Sequence, residues 1–383
     1  MRKLAPVASL SLSDGGVWPT QPQQLLLRAA LLDAPAAAEA WVGWQKMVRP
    51  DEVDIASWIL IPLVYANLKR LGVNDPLLLQ AKDCHLHYWW CNQKLFHLAS
   101  GFLDELQGLK IPVLVLKGVA LANLYYPDIG CRPMADLDLL VPAGKFLGLG
   151  THLLQHGWKE TDGHSFASFQ MDRMPSFGFM RPEDGFCVDI HCHVLHANCA
   201  EGADDEFWAR AQPWVFQQRN ALTLAPEDHL LHIVSHGVRW CDVPPFRWIA
   251  DAWWILARNR GRFDWERFLE HVRFHEISLP ILRGLERMSR ITPLDLPPDL
   301  LARLEALPVS ARARVRFIAA THPLPRPFFS RARRIWRALG EEEGWNIRRA
   351  LSLLLFACEV AVRDRVQILA DSRAWMRGLF KKP

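Results

Sequence analysis

Residues Asp136 to Val141 read Asp-Leu-Asp-Leu-Leu-Val, and this hexapeptide constrains the chain more than any other stretch. Asp is depleted in strands, so two aspartates set among leucines need a reason. Side chains two apart in a strand share a face. Asp136 and Asp138 therefore project side by side, while Leu137 and Leu139 turn to a core. Upstream, the apolar run Ile111 to Leu116 has the length and β-branched content of a buried strand. Lys117-Gly118 stops it, Ala120 to Tyr126 reads as a helix with an apolar face, and Pro127 to Pro133 as a loop. Two carboxylates on one sheet face, beside a glycine turn that opens a helix, suit a metal-bound polyphosphate. Gly118 would let a phosphate approach backbone N–H groups, and Lys117 or Arg132 would neutralise its oxygens. The structural alternative is a helix cap at Lys117-Gly118 and an ion pair between Arg132 and the aspartates.

The flanks differ in periodicity. Residues 1–20 read as disordered or loosely attached. Residues 21–110 read as an N-terminal helical region, with helices over Leu25 to Leu32, Ala36 to Met47, Ile55 to Leu71 and Leu77 to Leu109. His85, His87, Trp89 and Trp90 read as a packing seam within it. An α/β core takes residues 111–216. After the acidic strand a helix runs from Pro142 to about His156, where Gly157 stops it. Phe177 to Met180 and Phe186 to His193 then flank turn residues and predict a hairpin. Residues 217–295 read as a C-terminal helical region, with helix starts at Pro226, near Pro245 and at Asp264. Residues 296–383 form an Arg-rich helical tail, including Arg312, Arg314, Arg316, Arg326, Arg331, Arg333, Arg334 and Arg337.

Lys117-Gly118, the Arg132-Pro133-Met134 lead-in and the acidic hexapeptide together resemble the bacterial nucleotidyltransferase-like family of the DNA polymerase β superfamily. That superfamily carries a third carboxylate on a later strand, and Asp189, within Cys187-Val-Asp-Ile-His-Cys-His193, matches it. The looser pattern continues through Leu224 to His232, His236, Arg247 to Asp251 and Phe263 to Trp265, so the resemblance spans roughly residues 20 to 290. Val119 departs from it, standing where a Ser or second Gly is usual, and the segment from Gly118 to Asp136 is longer than typical.

The resemblance implies an α+β fold: a polymerase β-type nucleotidyltransferase mixed sheet between N-terminal and C-terminal helical regions. It implies transfer of an NMP group from an NTP, with ATP the expected donor, to an acceptor hydroxyl, releasing pyrophosphate. Asp136, Asp138 and Asp189 would hold Mg²⁺ or Mn²⁺; three like charges on one face require something positive there in any case, a metal pair or a side chain such as Arg132. Lys117, Gly118 and Arg132 would bind the nucleotide, and His191 would line the site. The acceptor stays open among a small molecule, a peptide, a glycan precursor and a protein.

Two competing readings come from the same residues. Asp189, His191 and His193 alternate along a strand, as the ligands of a metallohydrolase would; a hydrolase barrel would need further strand-helix units after Phe216, where helix is predicted. A catalytically inactive scaffold or regulator that keeps the fold is the other, and the change at Val119 argues mildly for it. His229, His232 and His236 fall on one helical stripe and read as a packed seam that could line an acceptor cleft. Asp251, among tryptophans, needs a partner, and Arg247 is nearest in sequence.

Composition narrows the setting. The 45 Lys and Arg against 41 Asp and Glu leave a net charge of only +4, so no stable nucleic-acid partner is expected. The late arginines would at most touch an anionic surface. Eight cysteines without a Cys-x-x-Cys predict reduced thiols and a cytoplasmic location. No apolar run approaches the roughly 20 residues that a bilayer span needs.

Overall fold

In the computed structural model of the chain, residues 16–49, 52–161, 165–172 and 174–321 are described. The N-terminal part is helical, as its periodicity predicts: α1 (Gln21–Leu31), α2 (Ala36–Met47), α3 (Ile55–Trp58), α4 (Ile61–Arg70) and the long α5 (Leu77–Gly108). Gly16 to Thr20 are attached more firmly than expected. Gly16 exchanges backbone hydrogen bonds of 2.8 and 3.0 Å with Cys241, and Val17 is buried.

The sheet begins with β1 (Leu114–Val115), followed by α6 (Lys117–Leu124), β2 (Asp136–Leu140), α7 (Ala143–Gln155) and β3 (Lys159–Glu160). The predicted hairpin is β4 (Ser176–Arg181) with β5 (Phe186–His191). After α8 (Asp205–Ala209) come β6 (Gln212–Phe216) and β7 (Arg219–Thr223). The seven strands lie in the order β3-β4-β5-β2-β1-β7-β6. β2 runs parallel to β5, β1 runs parallel to β7, and the other neighbours are antiparallel. The sheet therefore extends through Thr223, past the expected boundary at residue 216, and β7 occupies a stretch predicted as helical.

Helices resume with α9 (Pro226–Gly237), α10 (Arg247–Arg258), α11 (Trp265–Phe274), α12 (Ser278–Ile291), α13 (Leu300–Glu305) and α14 (Ala311–Thr321). Asp264 caps α11, its side chain accepting from the Arg267 N–H at 3.0 Å. Arg326, Arg331, Arg333, Arg334 and Arg337 lie outside the described residues. Arg316 is a structural arginine, donating to the Ala197 carbonyl and pairing with Glu276.

Alternation along the strands builds two cores and places the site. Leu137, Leu139, Val141, Val188 and Ile190 turn to one face and pack with α7 and the C-terminal half of α5. Leu114, Leu116 and Leu140 turn to the other, joining the helices before and after the sheet. Asp136, Asp138, Asp189 and His191 share that second face by the same parity. The acidic strand is thus a core strand on one side and a functional surface on the other. No helix among the described residues is long and apolar enough to cross a membrane.

Candidate active site

Asp138 and Asp189 are directly opposite in the parallel β2–β5 register, which brings their carboxylates together. His191 lies one alternation further along β5. Its Nε2 is 3.3 Å from Asp138 Oδ1 and 3.0 Å from Asp189 Oδ2. Lys117 completes the cluster from the strand-to-helix turn, with Nζ 2.9 Å from Asp138 Oδ1. This lysine has φ 38°, in the left-handed region, a conformation that costs a non-glycine residue about 1–3 kcal/mol and gathers at functional sites. The Ser176 hydroxyl donates to Asp189 Oδ2 at 3.2 Å. Asp136 occupies the exposed first position of β2 on the same face, outside the tight cluster.

Electrostatics follow from this crowding. Burial opposes the charge on Asp138, but Lys117 and His191 outweigh it and hold the carboxyl well below its ordinary range. Asp189 is likewise lowered: burial opposes ionisation, and His191 and Lys117 prevail over the repulsion from Asp138. Burial disfavours the imidazolium of His191, yet Asp189 raises its pKa. Lys117 is raised too, its desolvation overcome by Asp138 and Asp189. The mutual repulsion expected of bare aspartates is therefore answered by the Lys117 ammonium and the His191 imidazole of the chain itself.

The other candidates are placed as follows. Arg132 is buried, and its Nε and Nη2 donate to Asp251 at 2.7 and 3.0 Å. Asp251 also accepts from the Tyr126 hydroxyl at 2.6 Å. The partner of Asp251 is thus Arg132, 119 residues away in sequence, and Arg247 instead donates to the Pro133 carbonyl at 2.7 Å. Gly118 packs inward: a Cβ there would lie 3.3 Å from Arg132 Nη1 and 3.4 Å from Met134 Sδ. Val119 is wholly buried in the sheet core.

The uncharacterised nucleotidyltransferase family matches residues 57–293 of this sequence. The chain belongs to that family. Among solved structures it is similar to an antigenic nucleotidyltransferase-like protein from Paracoccidioides brasiliensis, at 16% identity and a TM-score of 0.36, over 58% of this chain and 96% of that one. No protein with a curated description matches it.

For a nucleotidyltransferase-family chain the question is whether these residues fit a metal ion. Ligand atoms of Asp138, Asp189 and His191 lie within 4.8 Å of one another. Asp189 Oδ1 is buried without a hydrogen-bond partner among the described residues, an acceptor a cation would satisfy. Two carboxylates and an imidazole suit Mn²⁺, and the carboxylates alone suit Mg²⁺. The group could hold a divalent ion.

His193 does not join this cluster. Its Nδ1 is 2.6 Å from Asp204 Oδ2, just beyond the end of β5. The Asp189, His191, His193 ligand set of a hydrolase is accordingly not assembled. His232 borders the site, its ring centroid 6.4 Å from that of His191, and burial drives its pKa well down, so it is neutral. His229, nearer the start of α9, meets the Thr223 hydroxyl at 3.1 Å and is an internal polar contact. Sequence reasoning did not foresee Lys117 as a partner of Asp138. The signal was there in the parity of β2, since a buried aspartate needs a cation.

Proposed function

We propose that the protein transfers a nucleoside monophosphate from an NTP, with ATP the expected donor, to an acceptor hydroxyl and releases pyrophosphate. The observation that carries this reading is the opposition of Asp138 and Asp189 in one parallel register, with Lys117 reaching them from the turn into α6. Asp138, Asp189 and His191, with Asp136 at the rim, would hold Mg²⁺ or Mn²⁺. When bound, that ion neutralises the triphosphate and orients it. The backbone N–H groups at the start of α6, at Gly118 and Val119, would donate to phosphate oxygens. Lys117 would exchange Asp138 for a phosphate, moving its ammonium where negative charge accumulates. Asp189, whose Oδ1 has no hydrogen-bond partner among the described residues, would take the proton of the acceptor hydroxyl. Little covalent work falls to the protein, since phosphoryl transfer is catalysed mainly by positioning and charge.

The acceptor belongs among hydroxyl-bearing small molecules, peptides, glycan precursors or proteins. The weak net charge speaks against a stable nucleic-acid partner. One observation favours a second reading, an inactive scaffold: the Lys117 ammonium already sits 2.9 Å from Asp138, as a replacement for a metal would. Incubation with each α-labelled NTP, Mg²⁺ or Mn²⁺ and host lysate separates the two. Transfer requires a labelled product and pyrophosphate, both lost in Asp138→Asn and Asp189→Asn. No labelled product with any NTP, or equal labelling by the variants, would establish the scaffold instead.

A further inference from the structure

A second convergence of donor side chains lies outside the acidic site. The loop that leads into β2 carries Asp128 and, at the end of the 3-10 turn Ile129–Cys131, Cys131. Both face His85 on α5. His85 Nε2 is 3.4 Å from Asp128 Oδ1, and Cys131 Sγ is 3.3 Å from Asp128 Oδ2. One donor atom from each of the three residues lies within 4.8 Å of the others. The His–Asp separation is long for a charge-assisted hydrogen bond. It is, however, the spacing of donors around a tetrahedral ion: bond lengths of ~2.0 Å to N and O and ~2.3 Å to S set neighbouring donors roughly 3.3–3.6 Å apart.

The surroundings are arranged for such a convergence. Asp128 Oδ1 accepts the Gly130 N–H at 2.7 Å, which fixes the carboxylate. Gly130 lets the loop close on the imidazole as it stands, because a Cβ would lie 2.9 Å from His85 Cε1 and 3.0 Å from Asp128 Oδ1 and would push one of them aside. Cys131 is buried, while the Asp128 side chain is 42% exposed, leaving one open side for entry and for a water ligand. Burial and Asp128 push the Cys131 thiol up, so without an ion it keeps its proton. Asn92, about two turns further along α5, donates to the carbonyls of Ile129 and Arg132, so this helix already grips the loop by two further bonds.

We propose that His85, Asp128 and Cys131 form a structural site for a zinc-class divalent ion, which clamps the loop between α6 and β2 onto α5. A carboxylate, an imidazole and a thiolate with one open position are a zinc-type donor set. The ion would displace the thiol proton on binding. Since the same loop delivers Arg132 to Asp251, the clamp would stiffen the approach to the acidic strand.

Cobalt titration of the full chain tests this, because a thiolate ligand gives Co²⁺ a near-ultraviolet charge-transfer band that a carboxylate and imidazole site does not. One equivalent of Co²⁺ should raise that band and tetrahedral visible bands, and Zn²⁺ should abolish both. Cys131→Ser should remove the charge-transfer band, and His85→Gln should weaken binding at least about tenfold. Asp138→Asn and Cys91→Ser should leave the charge-transfer band unchanged. Zn²⁺ should raise the melting temperature of the wild type and not that of His85→Gln, a variant that serves if Cys131→Ser does not fold. No thiolate band at saturating Co²⁺, an undiminished band in Cys131→Ser or undiminished affinity in His85→Gln, or its loss in Asp138→Asn, would overturn the site.

Discussion

Arg132–Asp251 and Lys117–Asp138 are both buried ion pairs that draw on the stretch from the start of α6 to the end of β2, and they are built to opposite ends. In the first, two guanidinium nitrogens meet two carboxylate oxygens and Tyr126 adds a third bond. Its side chains are 4% and 3% exposed. Both carboxylate oxygens are engaged and solvent is kept out. In the second, Lys117 and His191 converge on the same oxygen of Asp138. The neighbouring Asp189 is 21% exposed with one oxygen unpartnered among the described residues, and Asp136 stands at the rim. A matched, sealed pair fixes a fold. A crowded pair with capacity to spare and a path to solvent can exchange a side-chain cation for a ligand.

The largest way to test the contrast is to break the sealed pair. Asp251→Ala leaves Arg132 buried without its counter-charge and should cost about 3–5 kcal/mol in urea unfolding. A loss under 1 kcal/mol would mean that the pair is not the lock described. A smaller effect comes from acid. His229 and His275 are held down to about 3, in both cases mainly by burial. The unfolded chain titrates them near 6.5, so between these values it binds more protons than the folded protein, and stability falls as pH falls. From pH 6.5 to 5 each should remove roughly 1–2 kcal/mol. Asp138, Asp189 and Asp251, whose pKa values are lowered, add nothing to that slope, because their stabilisation is lost only below the ordinary carboxylate range. Unchanged stability across that window would contradict the neutral burial of these histidines. The smallest effect is expected of Gly118→Ala. Helix propensity favours Ala by about 1 kcal/mol, and the close contact with Arg132 and Met134 opposes it by a similar amount. The apo protein should change by under about 1 kcal/mol, and any nucleotide-induced stabilisation should survive, since the backbone N–H remains. Loss of that stabilisation would assign the glycine to close phosphate approach instead.

The acidic strand and its hairpin partner were legible because period-two alternation assigns each side chain to a face, and Asp189 needed only the correct register to meet Asp138. Long apolar periodicity made the N-terminal helices legible as well. The β6–β7 hairpin was not. Its turn is formed by Gln217 and Gln218 at φ 48° and 64°, a conformation that Gly or Asn usually signals, and β6 contains Pro213 and the exposed Val215. Nor was the Arg132–Asp251 pair legible, because 119 residues separate two side chains that only the packing of α10 brings together. Local spacing suggested Arg247 for Asp251, and tertiary structure chose otherwise.

The central claim is that Asp138 exchanges its side-chain cation for a metal-bound nucleotide, and thermal melts of wild type and Asp138→Asn with and without Mg²⁺-ATP test it most directly. The variant strands Lys117 and should lose about 1–3 kcal/mol in the apo state, so each shift is read against its own apo midpoint. With ligand at about 100 times its dissociation constant the wild type should gain roughly 2.7 kcal/mol, a few degrees for a chain of this size. Asp138→Asn should lose most of that gain. An equal shift in both proteins would show that Asp138 holds no ligand and that its pair with Lys117 is structural.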